Sequence, residues 1–183
     1  MVPESTNVTV RPARPDDLPG LAEIERDADR RYAAVGHAEL ADGEAVPAAV
    51  TEAAGARGDL LVAEHGGVVV GWLLLVRLGD DLCIGQVSVS PSHGRRGIGT
   101  ALLRAAIAEA AARGEPALVL NTQVDVAWNR PWYERHGFAV VPAGEWTVAM
   151  AEMRERQIAA GLDWTTRVHM RLALAPPDPG VTP

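Results

Sequence analysis

The chain has no lysine: its 17 cationic side chains are all arginine, set against 24 carboxylates, for a formal net charge of −7. An acidic protein is a poor general partner for nucleic acid or anionic lipid and is biased toward cationic ligands. A single cysteine, Cys83, excludes an internal disulfide and any cysteine-rich zinc site. None of the five histidines stands at metal-ligand spacing with a carboxylate, so no metal is expected. No apolar run approaches the ~20 residues that span a bilayer. Residues 1–12 lack the basic and apolar segments of a secretory signal. A cytoplasmic protein that binds neither membrane nor nucleic acid is the expectation.

What is present is an ordinary globular mixture of 183 residues, 48% hydrophobic and 22% charged. One domain over 1–174 is expected, with a proline-rich, loosely held tail over 175–183. Alternation at Val8 and Val10 predicts a first strand around 9–11. Asp16 reads as the N-cap of a helix through Leu18, Leu21, Ile24, Ala28 and Tyr32, stopped by Gly36. A second helix covers 45–57. Strands over 60–64, 68–78 and 82–90 are separated by tight turns, the first being His65-Gly66-Gly67, which predicts an antiparallel meander. Apolar residues at 3/4 spacing then predict a helix over 98–113, followed by a strand over 117–121. This β-α-β crossover favours parallel pairing. A short helix over 129–136, a strand over 138–141, a helix over 145–160 and a strand over 167–174 complete a mixed α/β (α+β) fold. On strand 167–174, His169 alternates with Arg167 and Arg171 and is read as facing water.

The chemistry-bearing segment is 86–103. A strand ends at Pro91, and a loop of small and cationic residues opens a helix. Gly97 and Gly99 permit close approach that a Cβ would hinder. The helix start offers amides that no turn can pair and the positive end of the dipole. That is an anion site, above all for a diphosphate, and Arg95 and Arg96 add charge beside it. It is neither a dinucleotide fingerprint, whose three-glycine spacing after a first strand is missing, nor a P-loop, since Gly-Lys-Ser/Thr is absent.

The run Val87-Ser88-Val89-Ser90-Pro91, then His93-Gly94-Arg95-Arg96-Gly97-Ile98-Gly99-Thr100, resembles the acetyl-CoA site of the GNAT superfamily of N-acetyltransferases. A second block, Asn129 to Phe138, resembles that family's Tyr-x-x-x-Gly-Phe element through Tyr133, Gly137 and Phe138. The resemblance implies a mostly antiparallel sheet of about seven strands, flanked by helices, with the fourth and fifth strands splayed apart. It implies that the main chain of Val87, Ser88 and Val89 pairs with the pantetheine arm. Amides from Arg95 to Thr100 then cradle the diphosphate, Val89 N–H takes the tetrahedral oxygen, and Tyr133 lies near the sulfur as general acid. Gly94 occupies the position of a long polar residue, and Val126 that of an asparagine. Asn129, four before the tyrosine, is either a pantetheine contact or a helix cap.

The implied reaction is direct acetyl transfer from acetyl-CoA to a primary amine, most simply on a small molecule. A lysine-like amine is neutral in about one molecule per thousand at pH 7, so its proton must be taken up. Strand 82–90 carries no acid. Cys83, a core residue by its surroundings, Gly85 and Gln86 fill the positions where relatives have a glutamate. A water relay through Gln86 is the preferred route, with Glu23, Asp27 and His37 as alternative bases. Tyr32, His37, Gln86, Asp125, Trp128 and Trp146 are candidate acceptor contacts, with core packing as the rival role of both tryptophans. Acetylation of a protein or peptide, and a CoA-binding module without catalysis, are the rival functions. A homodimer is compatible with the family.

Overall fold

The computed structural model describes residues 8–175; all of the expected tail except its first residue lies outside them. Seven strands form one sheet in the order β1-β2-β3-β4-β5-β7-β6. They are β1 (Val8–Pro12), β2 (Leu60–His65), β3 (Val68–Leu78), β4 (Asp81–Val89), β5 (Ala117–Gln123), β6 (Ala139–Val140) and β7 (Arg167–Ala173). The helices are α1 (Leu21–Asp29), α2 (Ala38–Ala41), α3 (Ala48–Arg57), α4 (Ile98–Ala112), α5 (Arg130–Glu134) and α6 (Val148–Ala159). The expected mixed, mostly antiparallel sheet is therefore present. The described chain forms two compact units, one made of residues up to Leu75 with Gln86–Ala106, the other of Val76–Gly85 with the residues from Ile107 on.

In the first unit, β1 and β2 pair antiparallel, as do β2 and β3. Gly66 and Gly67, at φ +60° and +82°, supply the two left-handed positions of a mirror-image hairpin turn. The β2–β3 register slips after Ala63, which leaves Val70 as the extra residue of a bulge. Next to it stands Gly71, where a Cβ would lie 2.9 Å from the Ser88 carbonyl oxygen. Trp72 is fully buried and donates its indole N–H to the Leu21 carbonyl at 3.0 Å, pinning α1 to β3.

The single helix expected from Asp16 to Gly36 is broken in the structure. A 3-10 turn (Pro15–Gly20), α1 and a second 3-10 turn (Arg30–Val35) share that stretch, and α2 follows it. Pro19 and Gly20 interrupt the α ladder at its start. Asp16 is not the cap: the Asp17 carboxylate accepts the Arg14 N–H at 2.7 Å. The helix expected over 45–57 starts at Ala48, because Pro47 is extended at φ −57°, ψ 140°.

In the second unit, β5 and β7 pair antiparallel over seven positions, with β6 on the far edge of β7. The crossover expectation also holds, since β4 and β5 run parallel with Leu82–Ile84 against Leu118–Leu120. Leu78, Cys83, Val119, Val141 and Met150 form the core under α6, with Trp146 and Met153 packed against it. No helix among the described residues is long and apolar enough to cross a membrane.

Candidate active site

At the end of β4, Ser90 N donates to the Val70 carbonyl at 2.8 Å, and the chain then turns through a 3-10 segment, Pro91–His93. Arg95 at φ +60° is the one left-handed residue other than glycine among the described residues, and Gly97 follows at φ +78°. Left-handed positions alternating with Arg96 turn successive N–H groups toward one side, a concavity suited to an anion. A left-handed arginine costs roughly 1 kcal/mol, and such outliers gather where a ligand is held. Ile98 is buried and anchors the start of α4, whose ladder begins with Ala101 N on the Gly97 carbonyl at 2.9 Å. The amides of Ile98 and Gly99 precede that ladder. Arg95 and Arg96 are exposed. Among the described residues neither forms an ion pair, whereas Arg11, Arg57, Arg77, Arg113, Arg130 and Arg171 all do. Gly94 is exposed, and a Cβ there would approach the Pro91 carbonyl oxygen to 3.2 Å.

Upstream on β4, the Gln86 side-chain amide donates to Ser88 Oγ at 3.0 Å, and Ser88 is buried between half-buried Val87 and Val89. Of the alternative bases, Glu23 is exposed and Asp27 is tied to Arg30 at 2.8 Å. His37 is buried, with its Nδ1 3.1 Å from a Glu39 carboxylate oxygen and Tyr32 edge-on at 6.5 Å. Asp16, Asp17, Glu23 and Asp27 line a pocket of about 450 Å³, together with Val69 and Ser90.

The sequence reading missed Glu25. It occupies the buried stripe of α1 between Leu21 and Ala28, only 4% exposed. Its carboxylate accepts the Val46 N–H at 2.9 Å, and burial, the largest cause, pushes its pKa up to about 7. Asp29, one turn on, is pushed up to about 6, also by burial. Its spacing carries the signal, since Glu25 is four after Leu21 and three before Ala28, the periodicity of one helix face.

In the second unit, Tyr133 is buried on α5, with the Trp132 ring at 4.8 Å and the Phe138 ring at 5.6 Å. Gly137 at φ +90° ends the segment, and Phe138 N returns to the Tyr133 carbonyl at 3.2 Å. Asn129 sits at the N-cap position of α5 but does not cap with its side chain. Instead its amide donates to Gln123 Oε1 at 2.6 Å, joining the end of β5 to the start of α5. Asp125 is exposed and Trp128 half-buried.

Trp146 belongs to the core around Met150: its indole N–H donates to the Val141 carbonyl at 3.0 Å. His169 is a correction, for it is fully buried rather than wet. Its Nε2 lies 3.0 Å from the Met150 carbonyl, and Trp146 and Trp164 pack on its ring at 5.1 and 5.0 Å. Cys83 is buried as expected, with a thiol pushed up to about 12 by burial and then by Asp81, which makes it an inert core residue. Among the described residues no group of three or more potential metal ligands is present.

A family model described as "Acetyltransferase (GNAT) family" matches residues 20–138. Among solved structures, the ribosomal-protein-S18-alanine N-acetyltransferase from Escherichia coli is similar with a TM-score of 0.64 at 17% identity, over 96% of this chain and 99% of that one. The PaiA N-acetyltransferase from Thermoplasma acidophilum, in complex with coenzyme A, gives 0.67 at 14% identity over 91% and 99% of the two chains. N-acetylglutamate synthase from Neisseria gonorrhoeae, complexed with coenzyme A and N-acetyl-glutamate, gives 0.67 at 20% identity, over 92% of this chain and 35% of that one. The matched segment takes in both the left-handed turn before α4 and the Tyr133–Phe138 block, and the chain belongs to the GNAT family of acetyltransferases.

Proposed function

We propose that this N-acetyltransferase moves the acetyl group of acetyl-CoA to a primary amine on a small molecule. The observation that carries the reading is the turn before α4. In a protein of net charge −7, it keeps two arginines that form no ion pair among the described residues, beside a left-handed backbone and a helix start. Solved neighbours in complex with coenzyme A support the same co-substrate. The amides from Arg95 to Thr100 hold the diphosphate, and the main chain of Val87, Ser88 and Val89 pairs with pantetheine. The amine nitrogen attacks the thioester carbonyl and the oxygen takes the developing charge, held by Val89 N–H. The C–S bond then breaks, and the thiolate takes the Tyr133 phenolic proton. The proton lost by the amine passes to water oriented by Gln86, and Tyr133 is reprotonated from solvent. The carboxylates around the 450 Å³ cavity favour an acceptor that arrives as a cation.

The test is acetyl-CoA turnover against pooled amines and peptides, read by product mass. The chain has no lysine, so side-chain self-acetylation adds no background. Acetylated small amines support the reading. Products confined to peptides move the acceptor to proteins, and CoA binding without any product leaves a binding module. Gly97→Glu places a carboxylate in the anion turn and should abolish CoA affinity in calorimetry; retained affinity removes the loop assignment. Tyr133→Phe should lower turnover about 10²-fold or more while leaving CoA affinity nearly unchanged. Equal turnover would end the acid role of Tyr133.

A further inference from the structure

Beside the anion turn the first unit holds two imidazoles to which the reading above gives no role. His65 closes β2 at the hairpin and His93 closes the 3-10 segment after β4, 28 positions later. Their rings meet edge to face with centroids 5.6 Å apart. His93 is fixed from behind by a chain of hydroxyls: Ser90 Oγ lies 2.9 Å from Ser92 Oγ, which lies 2.9 Å from His93 Nδ1. Among the described residues, His93 Nε2 and both ring nitrogens of His65 make no hydrogen bond. The nearest carboxylate in sequence, Glu64, is engaged by Arg11 at 3.0 Å, and strand alternation turns it away from His65.

We propose that His93, with His65 beside it, binds the 3′-phosphate of coenzyme A, the phosphate monoester on the ribose that stands apart from the diphosphate. This rests on the acetyl-CoA reading and extends it. The diphosphate already has the α4 amides and two arginines. His93 directly precedes Gly94 and Arg95, so its imidazole is the next donor along the chain from that turn. When Ser92 Oγ donates to Nδ1, the ring proton of neutral His93 stands on Nε2, a donor directed away from the serines. A phosphate monoester there accepts from Nε2–H and from His65, whose ring centroid lies 5.6 Å from that of His93.

The experiment compares CoA with dephospho-CoA, which lacks only the 3′-phosphate, by calorimetry on the full chain and on His93→Ala, His65→Ala and the double variant. Wild type should bind CoA about tenfold or more tightly than dephospho-CoA, the worth of one charge-assisted hydrogen bond. The double variant should bind both equally, at the wild-type affinity for dephospho-CoA. A melting curve for each variant confirms that it is folded. Equal wild-type affinity for the two ligands overturns the proposal while leaving the acetyl-CoA reading intact. So does a preference for CoA that survives in the double variant, or an equal loss for both ligands, which would assign the imidazoles to the diphosphate. Failure of wild type to bind either ligand overturns both the proposal and the reading beneath it.

Discussion

At the scale of the residue, Glu25 shows what a charge costs on a buried stripe. It has one backbone donor, Val46 N–H, and its carboxyl is pushed from 4.5 up to about 7 chiefly by burial. The folded protein therefore holds a proton that the unfolded chain has released. Stability is complete below pH 4.5, falls as pH rises to about 7 and is level above that. The loss from this group amounts to roughly 3 kcal/mol at most. Glu25→Gln should remove that slope from a series of urea titrations across the window, and curves parallel to wild type would show that Glu25 does not titrate there. His169 acts with the opposite sign. Burial lowers its pKa from 6.5, so it costs stability only as the pH falls below that value.

At the scale of the element, the close approach at Gly71 holds β4 where its last residues are proposed to meet pantetheine. A Cβ at this position meets the Ser88 carbonyl oxygen at 2.9 Å and Val89 Cγ2 at 3.2 Å. The first is backbone and cannot swing aside. Gly71→Ala should cost about 1–3 kcal/mol in chemical unfolding and should weaken CoA binding as well, because it displaces Ser88 and Val89 themselves. A variant of unchanged stability would show that the strands have room there. The break of the first helix belongs to this scale too. Pro19 and Gly20 divide the stretch, so that α1 presents Leu21, Glu25 and Ala28 inward.

At the scale of the whole molecule, the charges are unevenly assigned. Arg11 bridges Asp17 and Glu64, Arg77 pairs with Glu115 and Arg171 with Asp81, all serving the fold. Arg95 and Arg96 serve no ion pair among the described residues. Replacing both by alanine should therefore leave apo stability within about 0.5 kcal/mol. CoA affinity should fall by about ten- to a hundredfold, the loss of one or two charge-assisted contacts. Thermal unfolding and calorimetry on the same variant separate the two effects. Lost stability with unchanged affinity would make the pair structural.

Local chemistry determined the order and kind of most elements. Gly66-Gly67 dictates a hairpin by backbone hand, the 3/4 apolar spacing after Ile98 dictates a helix, and glycines with arginines at that helix start suit it to the anion site proposed for it. The Tyr133 block was legible for the same reason, since its turn depends on Gly137 and a neighbouring aromatic. Burial was decided only in three dimensions. Arg167, His169 and Arg171 alternate as a wet strand face would, yet α6 lies over that face and encloses His169, while Asn121 and Asp81 take up the two arginines. Glu25 and the meeting of His65 with His93 were hidden likewise. Alternation and spacing specify which side a residue takes, and only the packed neighbour decides whether that side is water.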